Sequence, residues 1–287
     1  MAGGSADPNL GCLEQRARER GLTLRSLRVG PGHDPAVRWD LEGDALLLDG
    51  QPLAPSAIFL RHDVFAAMAD PRPAVGKRAM AWYTLVSGWA LAHDAVKFFN
   101  RRSRQYGANK PLALHRAKAL GLDVPATAFT NDVRALREGA DWPRVVKPID
   151  GGALCRPLDE ALAQTDAHDG VAAAPAIVQQ RLVPPEVRVY VVGRRLFAFR
   201  VISDELDYRA SADTRVEPFE ALPAPIGHAL LALAEQLGLD FAAADFKTNP
   251  ASGALTFLEI NSAPMFVAFD RVCQGRLGDA MLDWLGA

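Results

Sequence analysis

Cysteine is scarce in this sequence, and its scarcity excludes several classes of protein. The three cysteines, Cys12, Cys155 and Cys273, stand far apart and form no Cys-x-x-Cys pair, so neither a zinc site nor a disulfide framework is expected. Reduced thiols suit a cytoplasmic setting. Long apolar runs are also missing. The longest, residues 81–92, is shorter than the roughly 20 residues that a membrane-crossing helix requires. Neither sign of charge dominates: 32 basic and 34 acidic residues give a net charge of -2, so no global field points to nucleic acid or an anionic membrane. The GxxxxGK[ST] phosphate loop is absent, and no GxGxxG follows an early strand, which argues against Walker and dinucleotide-binding sites. The opening MAGGSADP lacks a charged region followed by an apolar one, so it is not a secretory signal and reads as a disordered leader. There are no internal repeats.

What is present is 287 residues, 49% of them hydrophobic, enough for two or three small lobes with packed cores. Apolar spacing and turn residues divide the chain into regions 1–99, 100–175 and 176–287. In the first, a short helix (13–20) precedes strands at 24–29, 37–41, 45–48 and 57–60. A long helix follows at 76–99, with Trp82, Leu85, Val86, Trp89 and Ala90 at helical spacing. Those aromatics read either as core or as a substrate-facing patch. The second region reads as helix 111–120, strands 126–129 and 144–147, and helix 157–164. The third is richer in strands: 176–180, a hairpin of 187–192 with 195–202, helix 225–237, a second hairpin of 242–247 with 255–260, and a closing helix 278–285.

The chemistry concentrates in the second hairpin, AAADFKTNPASGALTFLEIN. Side chains alternate along a strand, so Asp245 and Lys247 share a face, as do Glu259 and Asn261. Folding at residues 250–253 lets odd positions oppose odd positions, and Asp245, Glu259 and Asn261 converge. Two carboxylates and an amide among apolar neighbours are costly without a cationic companion, and they are hard oxygen donors suited to magnesium held together with phosphate. A solvated hairpin face with ordinary surface acids is the plain alternative. In RVVKPIDGG, Lys147 ends an apolar strand ahead of Gly151 and Gly152. The ammonium there can meet phosphate as a compact charge, and the glycines let backbone N–H groups approach it. Lys110 is a second lysine, entering a helix; taken alone, either lysine is more often surface charge. The strand ending at Gln180, Arg181 and Leu182 offers backbone groups to an adenine edge. Glu186 and Arg188 share a face on the next strand. His62 with Asp63 is a candidate acid/base pair, or a surface His beside an Asp.

The order of these parts, over residues 98–266, resembles the ATP-grasp ligases. The nearest patterns are the ribosomal-protein glutamate ligases and the graspetide (microviridin-type) macrocyclases. NRRSRQYGANKPLALHRAKALGLDVPATAFTND resembles the start of that family's nucleotide lobe. VVKP is similar to its phosphate-lysine strand, IVQQRLVPPEVRVYVVGRRLFAFRV to its adenine hinge and arginine-bearing strands, and DFKTNPASGALTFLEIN to its metal hairpin. LDYRAS resembles a short Asp-aromatic-Arg motif of the graspetide branch. Residues 59–63 and 262–266 depart from that branch.

The resemblance implies an α/β (α+β) ATP-grasp fold, with region 1–99 as a small preceding lobe and long helix, 100–175 as the nucleotide lid lobe and 176–287 as the lobe with the metal hairpin. It implies an ATP-dependent ligase joining a carboxylate to an amine or hydroxyl through an acyl phosphate, with ADP and phosphate as products. Lys110 and Lys147 would hold the α- and β-phosphates under Gly151 and Gly152. Gln180, Arg181 and Leu182 would present the hinge, and Glu186 would lie near ribose or acceptor. Arg188, joined by Arg200, would steady the transferred group, and Arg209 would contact substrate. Asp245, Glu259 and Asn261 would hold two magnesium ions. The expected partner is a peptide or amino-acid substrate, with neither nucleic acid nor membrane; a homodimer is compatible with the sequence. A peptide is favoured over a free amino acid or other small metabolite, because the aromatic helix wall and the basic cluster Arg101, Arg102 and Arg104 suit an extended acidic ligand. A nucleotide-binding module without turnover is the remaining alternative.

Overall fold

The computed structural model describes residues 1–32, 34–103, 109–138, 141–150, 154–208 and 213–286. Contacts divide the chain into two units, residues 1–101 with 265–287, and residues 102–264.

The first unit begins with a strand where a disordered leader was expected. Ala2–Gly4 runs parallel to Leu27–Val29, and Ala2 is buried. The glycines of this stretch serve close packing. A Cβ added to Gly4 would collide with the Asp63 carboxyl group. The helix Pro8–Glu19 follows, with Asp7 as its N-cap accepting from the Asn9 amide. A three-stranded antiparallel sheet of Val37–Asp40, Ala45–Leu48 and Gln51–Leu53 comes next.

The long helix spans Pro73–Ala92, not residues 76–99. Residues Lys97–Phe98 form a strand parallel to Ala57–Ile58. Arg101 explains the early stop. Its guanidinium donates to the carbonyls of Ala90, Leu91, His93 and Val96 at 2.6, 3.2, 2.8 and 2.9 Å. These groups at and just beyond the helix end would otherwise lack an intrahelical partner. Trp89 is buried and stacked on His93, and Trp82 packs against the same apolar cluster as Ile58, Val86 and Phe98. Trp89 is therefore a core residue, and Trp82 lies half-buried against that core. Helices Val267–Val272 and Arg276–Leu285 complete the unit.

The second unit holds two five-stranded sheets. In the first, Val171–Gln180 pairs on its two sides with Thr127–Asp132 and Arg144–Pro148. The second is antiparallel, in the order Arg215–Pro218, Arg195–Ile202, Val183–Val192, Phe241–Thr248, Leu255–Asn261. Helices Lys110–Ala119 and Ala224–Leu237 cover one face of it. Val187, Val189, Val191, Ala244, Phe246 and Phe257 meet Leu114, Leu230 and Leu233 there in one core. The alternate residues of the same strands must point the other way. Among the described residues, no helix is long and apolar enough to cross a membrane.

Candidate active site

The face opposite that core carries charge. Strand Val183–Val192 contributes Glu186, Arg188 and Tyr190, all buried. Phe241–Thr248 contributes Asp245 and Lys247, and Leu255–Asn261 contributes Glu259 and Asn261. The register pairs Arg188 with Asp245, Asp245 with Glu259, and Ala243 with Asn261. A β-bulge between the pairs Asp245–Glu259 and Phe246–Phe257 sets the phase. With it, Phe257 faces the core while Glu259, two residues on, faces the site. Strict alternation would have placed both on one side.

Buried charges need partners, and each here has one. Arg188 Nη1 lies 2.8 and 3.0 Å from the two Asp245 oxygens. It also lies 2.8 Å from the Tyr208 hydroxyl, while Arg188 Nε donates to Tyr190 at 3.2 Å. Glu259 Oε2 receives two ammonium groups, Lys110 at 3.3 Å and Lys147 at 3.6 Å. Lys110 opens its helix behind the Asn109 cap, and Lys147 sits on Arg144–Pro148 opposite Ile177. Neither lysine is a surface charge: their side chains are 16% and 12% exposed. Lys247 pairs with Glu186 at 3.0 Å and donates to the Leu206 carbonyl at 2.7 Å.

This packing perturbs the titrating groups. Burial pulls the Lys147 ammonium down, against the pull of Glu259 and with the help of Lys110. Burial works to raise the Glu259 carboxyl, but Lys147 and Lys110 outweigh it and hold it down at about 2. Burial pushes the Asp245 carboxyl up; Arg188 opposes this, while the charges of Glu259 and Glu186 add to it. Burial likewise raises Glu186, against Lys247.

The donor set fits magnesium. Asp245, Glu259 and Asn261 offer carboxylate and amide oxygens side by side, the hard ligands that ion prefers. Asn261 Nδ2 donates to Asp245 and Glu259 at 3.3 and 3.2 Å, and half a turn of the amide presents its oxygen beside the same carboxylates. Among the described residues no three His, Cys, Asp or Glu side chains are grouped for metal binding, so phosphate oxygens or water would complete the shell.

Lys110, Lys147, Glu186, Arg188, Asp245, Glu259 and Asn261 are thus brought together. Arg200 is not. It pairs across strands with Val187, on the core-facing side, and its guanidinium lies exposed 5.6 Å from the Phe219 ring centroid. In the hinge strand two backbone donors are already used. The Gln180 and Arg181 amides are not free, since they donate to the carbonyls of Ala126 and Pro143 at 2.9 and 2.8 Å. Leu182 is buried. Gly151, Gly152, Arg104 and Arg209 lie outside the described residues. Asp63 caps helix Val64–Ala69 by accepting from the Ala66 amide, and His62 meets Tyr83 edge-on, so the two form no acid/base couple. Arg101 is committed to the helix carbonyls, and Arg102 lies 3.9 Å from Asp240.

Sequence reasoning gave no role to Lys247 and Tyr208. The Asp245-x-Lys247 spacing was a usable signal for the first. Tyr208 is the aromatic of the LDYRAS motif, which was the signal for it, but it lies outside the strands of the site and strand periodicity could not have placed it there.

The fold that carries these residues is known from solved structures. The ATP-grasp ligase PsnB complexed with minimal precursor is 27% identical, with a TM-score of 0.77 over 99% of this chain and 97% of that one. PsnB complexed with a phosphomimetic variant of minimal precursor, Mg and ADP is 26% identical, with a TM-score of 0.78 over 99% and 97%. The chain carries the ATP-grasp fold. Macrocyclase MdnC bound with precursor peptide MdnA, from Microcystis aeruginosa MRC, matches at 20% identity and a TM-score of 0.77 over 99% and 97%, which extends the likeness in fold to the graspetide macrocyclases. No family model and no curated protein sequence matches the chain. The ATP-grasp likeness therefore rests on three-dimensional structure together with the motifs read above.

Proposed function

We propose that this protein is an ATP-dependent carboxylate–amine (or hydroxyl) ligase acting on a peptide. The observation that carries the reading is the convergence of Lys110 and Lys147 on one oxygen of Glu259, beside the Arg188–Asp245 pair. Four cations, Lys110, Lys147, Arg188 and Lys247, stand against three carboxylates, Glu186, Asp245 and Glu259, in one buried cluster. A polyphosphate can take over the two lysines, and Glu259 is then released towards a cation.

In this reading residues 100–175 are the nucleotide lid lobe, residues 176–287 carry the metal hairpin, and residues 1–99 form the preceding lobe. The site works in the cytoplasm, where ATP is at hand. Asp245, Glu259 and Asn261 would hold magnesium, up to two ions, which supplies charge neutralisation at the phosphates. Lys110 and Lys147 bind the nucleotide phosphates. A substrate carboxylate oxygen attacks the γ-phosphorus, the bond to the β-bridging oxygen breaks, and ADP leaves an acyl phosphate. The acceptor amine or hydroxyl then attacks the acyl carbon, expelling phosphate and losing its proton to water. Arg188, fixed by Asp245 and two tyrosines, keeps its charge beside the transferred group. No side chain acts as nucleophile; positioning and preorganised charge provide the acceleration. The likeness to PsnB supports a peptide as the carboxylate donor.

The test is product analysis. The protein is incubated with ATP, magnesium and, separately, acid-rich peptides, dipeptides and free amino acids. ADP and phosphate formed with a peptide are expected. AMP and pyrophosphate would overturn the acyl-phosphate route, and turnover with free amino acids alone would overturn the peptide.

A further inference from the structure

Residues 206–208 lie outside the strands of the site, yet they touch three separate parts of it. The Leu206 carbonyl accepts from Lys247 Nζ at 2.7 Å, and the Tyr208 hydroxyl accepts from Arg188 Nη1 at 2.8 Å. Between them, Asp207 Oδ2 accepts from the backbone N–H of Cys155 at 3.3 Å. Thr214 Oγ1 donates to the Tyr208 carbonyl at 2.9 Å and anchors the far side. Cys155 belongs to the connection leaving the strand of Lys147, just before Arg156–Pro157 pairs back onto that strand. One short segment therefore joins the phosphate-lysine strand to both cation–carboxylate pairs of the neighbouring sheet.

We propose that residues 206–208 are a brace, in which Asp207 and Tyr208 are positioning residues that tie the phosphate side of the site to the Arg188–Asp245 pair. The inference rests on the nucleotide-site reading above. Its physical basis is donor satisfaction. A guanidinium presents five N–H donors in a fixed plane. Asp245 takes Nη1 of Arg188 with both oxygens, and the Tyr208 hydroxyl on the same nitrogen adds a constraint on where the group lies. The neighbouring carboxylate fixes the Cys155 amide by a charge-assisted bond. A change at the Lys147 strand thus reaches Arg188 through two adjacent residues, and by linkage the reverse also holds.

Hydrogen–deuterium exchange on the full chain, with and without Mg·ADP, tests this. In the parent protein Mg·ADP should slow exchange at 154–156 and at 205–208 together, each about fivefold or more, the lower end of ordinary site-to-site coupling. In Asp207→Ala the nucleotide should still protect 154–156 but lose its effect on 205–208. Asp207→Asn, which keeps an oxygen acceptor, should restore part of it. Tyr208→Phe should keep 205–208 responsive, because the Asp207 bond is intact. Protection of 205–208 that survives in Asp207→Ala would overturn the brace. So would a parent protein that binds Mg·ADP, by calorimetry, without slowing 205–208. A parent that binds no Mg·ADP would overturn the nucleotide reading itself and the brace with it; calorimetry separates that outcome from the others.

Discussion

Asp245 and Glu259 face each other across an antiparallel hairpin, yet each is neutralised by different cations: Arg188 for the first, Lys110 and Lys147 for the second. The division has unequal consequences. Arg188 is buried and cannot shed its charge. Asp245→Asn therefore strands a buried guanidinium, and a loss of about 3–5 kcal/mol in folding stability is expected. Urea denaturation measures it; a midpoint within error of the parent would show that the pair is not held as described.

Lys147→Ala acts on ligand, not fold. Lys110 continues to pair with Glu259, so the sheet keeps its charge partner. Loss of one charge-assisted phosphate contact should weaken Mg·ADP by about 1.5–3 kcal/mol, roughly 10- to 150-fold. Calorimetric titration of Mg·ADP gives the number directly, and unchanged affinity in a folded variant would remove Lys147 from the site.

Glu259 should leave a mark on acid stability. Its carboxyl stands below the ordinary value, at about 2 against 4.5, because Lys147 and Lys110 outweigh burial. The unfolded chain therefore takes up this proton first as pH falls. The stability Glu259 contributes is fully present above about pH 4.5 and is lost as pH falls towards about 2. That drop, at about 1.4 kcal/mol for each tenfold, is on the order of 3 kcal/mol. Asp245 runs in the opposite sense, since its raised carboxyl favours the folded state at low pH. Comparing denaturation of the parent and Glu259→Gln at pH 5, 4 and 3 should show a flatter acid limb in the variant. Parallel limbs would mean that the lysines do not govern this carboxylate.

The metal hairpin was legible because period-2 alternation needs no long-range information: Asp245, Glu259 and Asn261 could be put on one face by counting. The bulge that turns Phe257 to the core while keeping Glu259 on the site face was not legible, since the count of residues facing each other depends on the partner strand. The opening strand Ala2–Gly4 was missed for a related reason. Its glycines are demanded by Asp63 and the Arg61 backbone, distant in sequence, and without those neighbours Gly-Gly reads as flexibility. Arg200 was misplaced because an arginine within a strand looks alike on either face until its partner, Val187, is known.

Arg101 offers a test away from the site. Its guanidinium serves four carbonyls around the end of Pro73–Ala92, a fork that an ammonium cannot reproduce. Arg101→Ala should cost about 1.5–3 kcal/mol, and Arg101→Lys should recover only part of it. Thermal unfolding of the three proteins checks the order, and a lysine variant as stable as the parent would show that charge alone suffices.

Arg188 and Arg200, alike in the sequence, stand on opposite faces of the sheet. Arg188 lies in the buried row with Asp245, Tyr190 and Tyr208, whereas Arg200 sits on the other face against Phe219. Arg188→Ala removes a fixed positive charge from beside the transferred group, and ADP formation should fall by about 10²–10³. The same change also leaves Asp245 buried without its cation, so circular dichroism must first establish that the variant folds. Arg200→Ala removes an exposed stacking contact worth about 0.5–1 kcal/mol at most, and its ADP formation should stay within about twofold of the parent. Intrinsic ATP hydrolysis, measured without added peptide, is enough to compare the three proteins. A large loss in Arg200→Ala with the fold intact would bring that residue back to the reaction, and would require the strand Arg195–Ile202 to present its other face to the nucleotide.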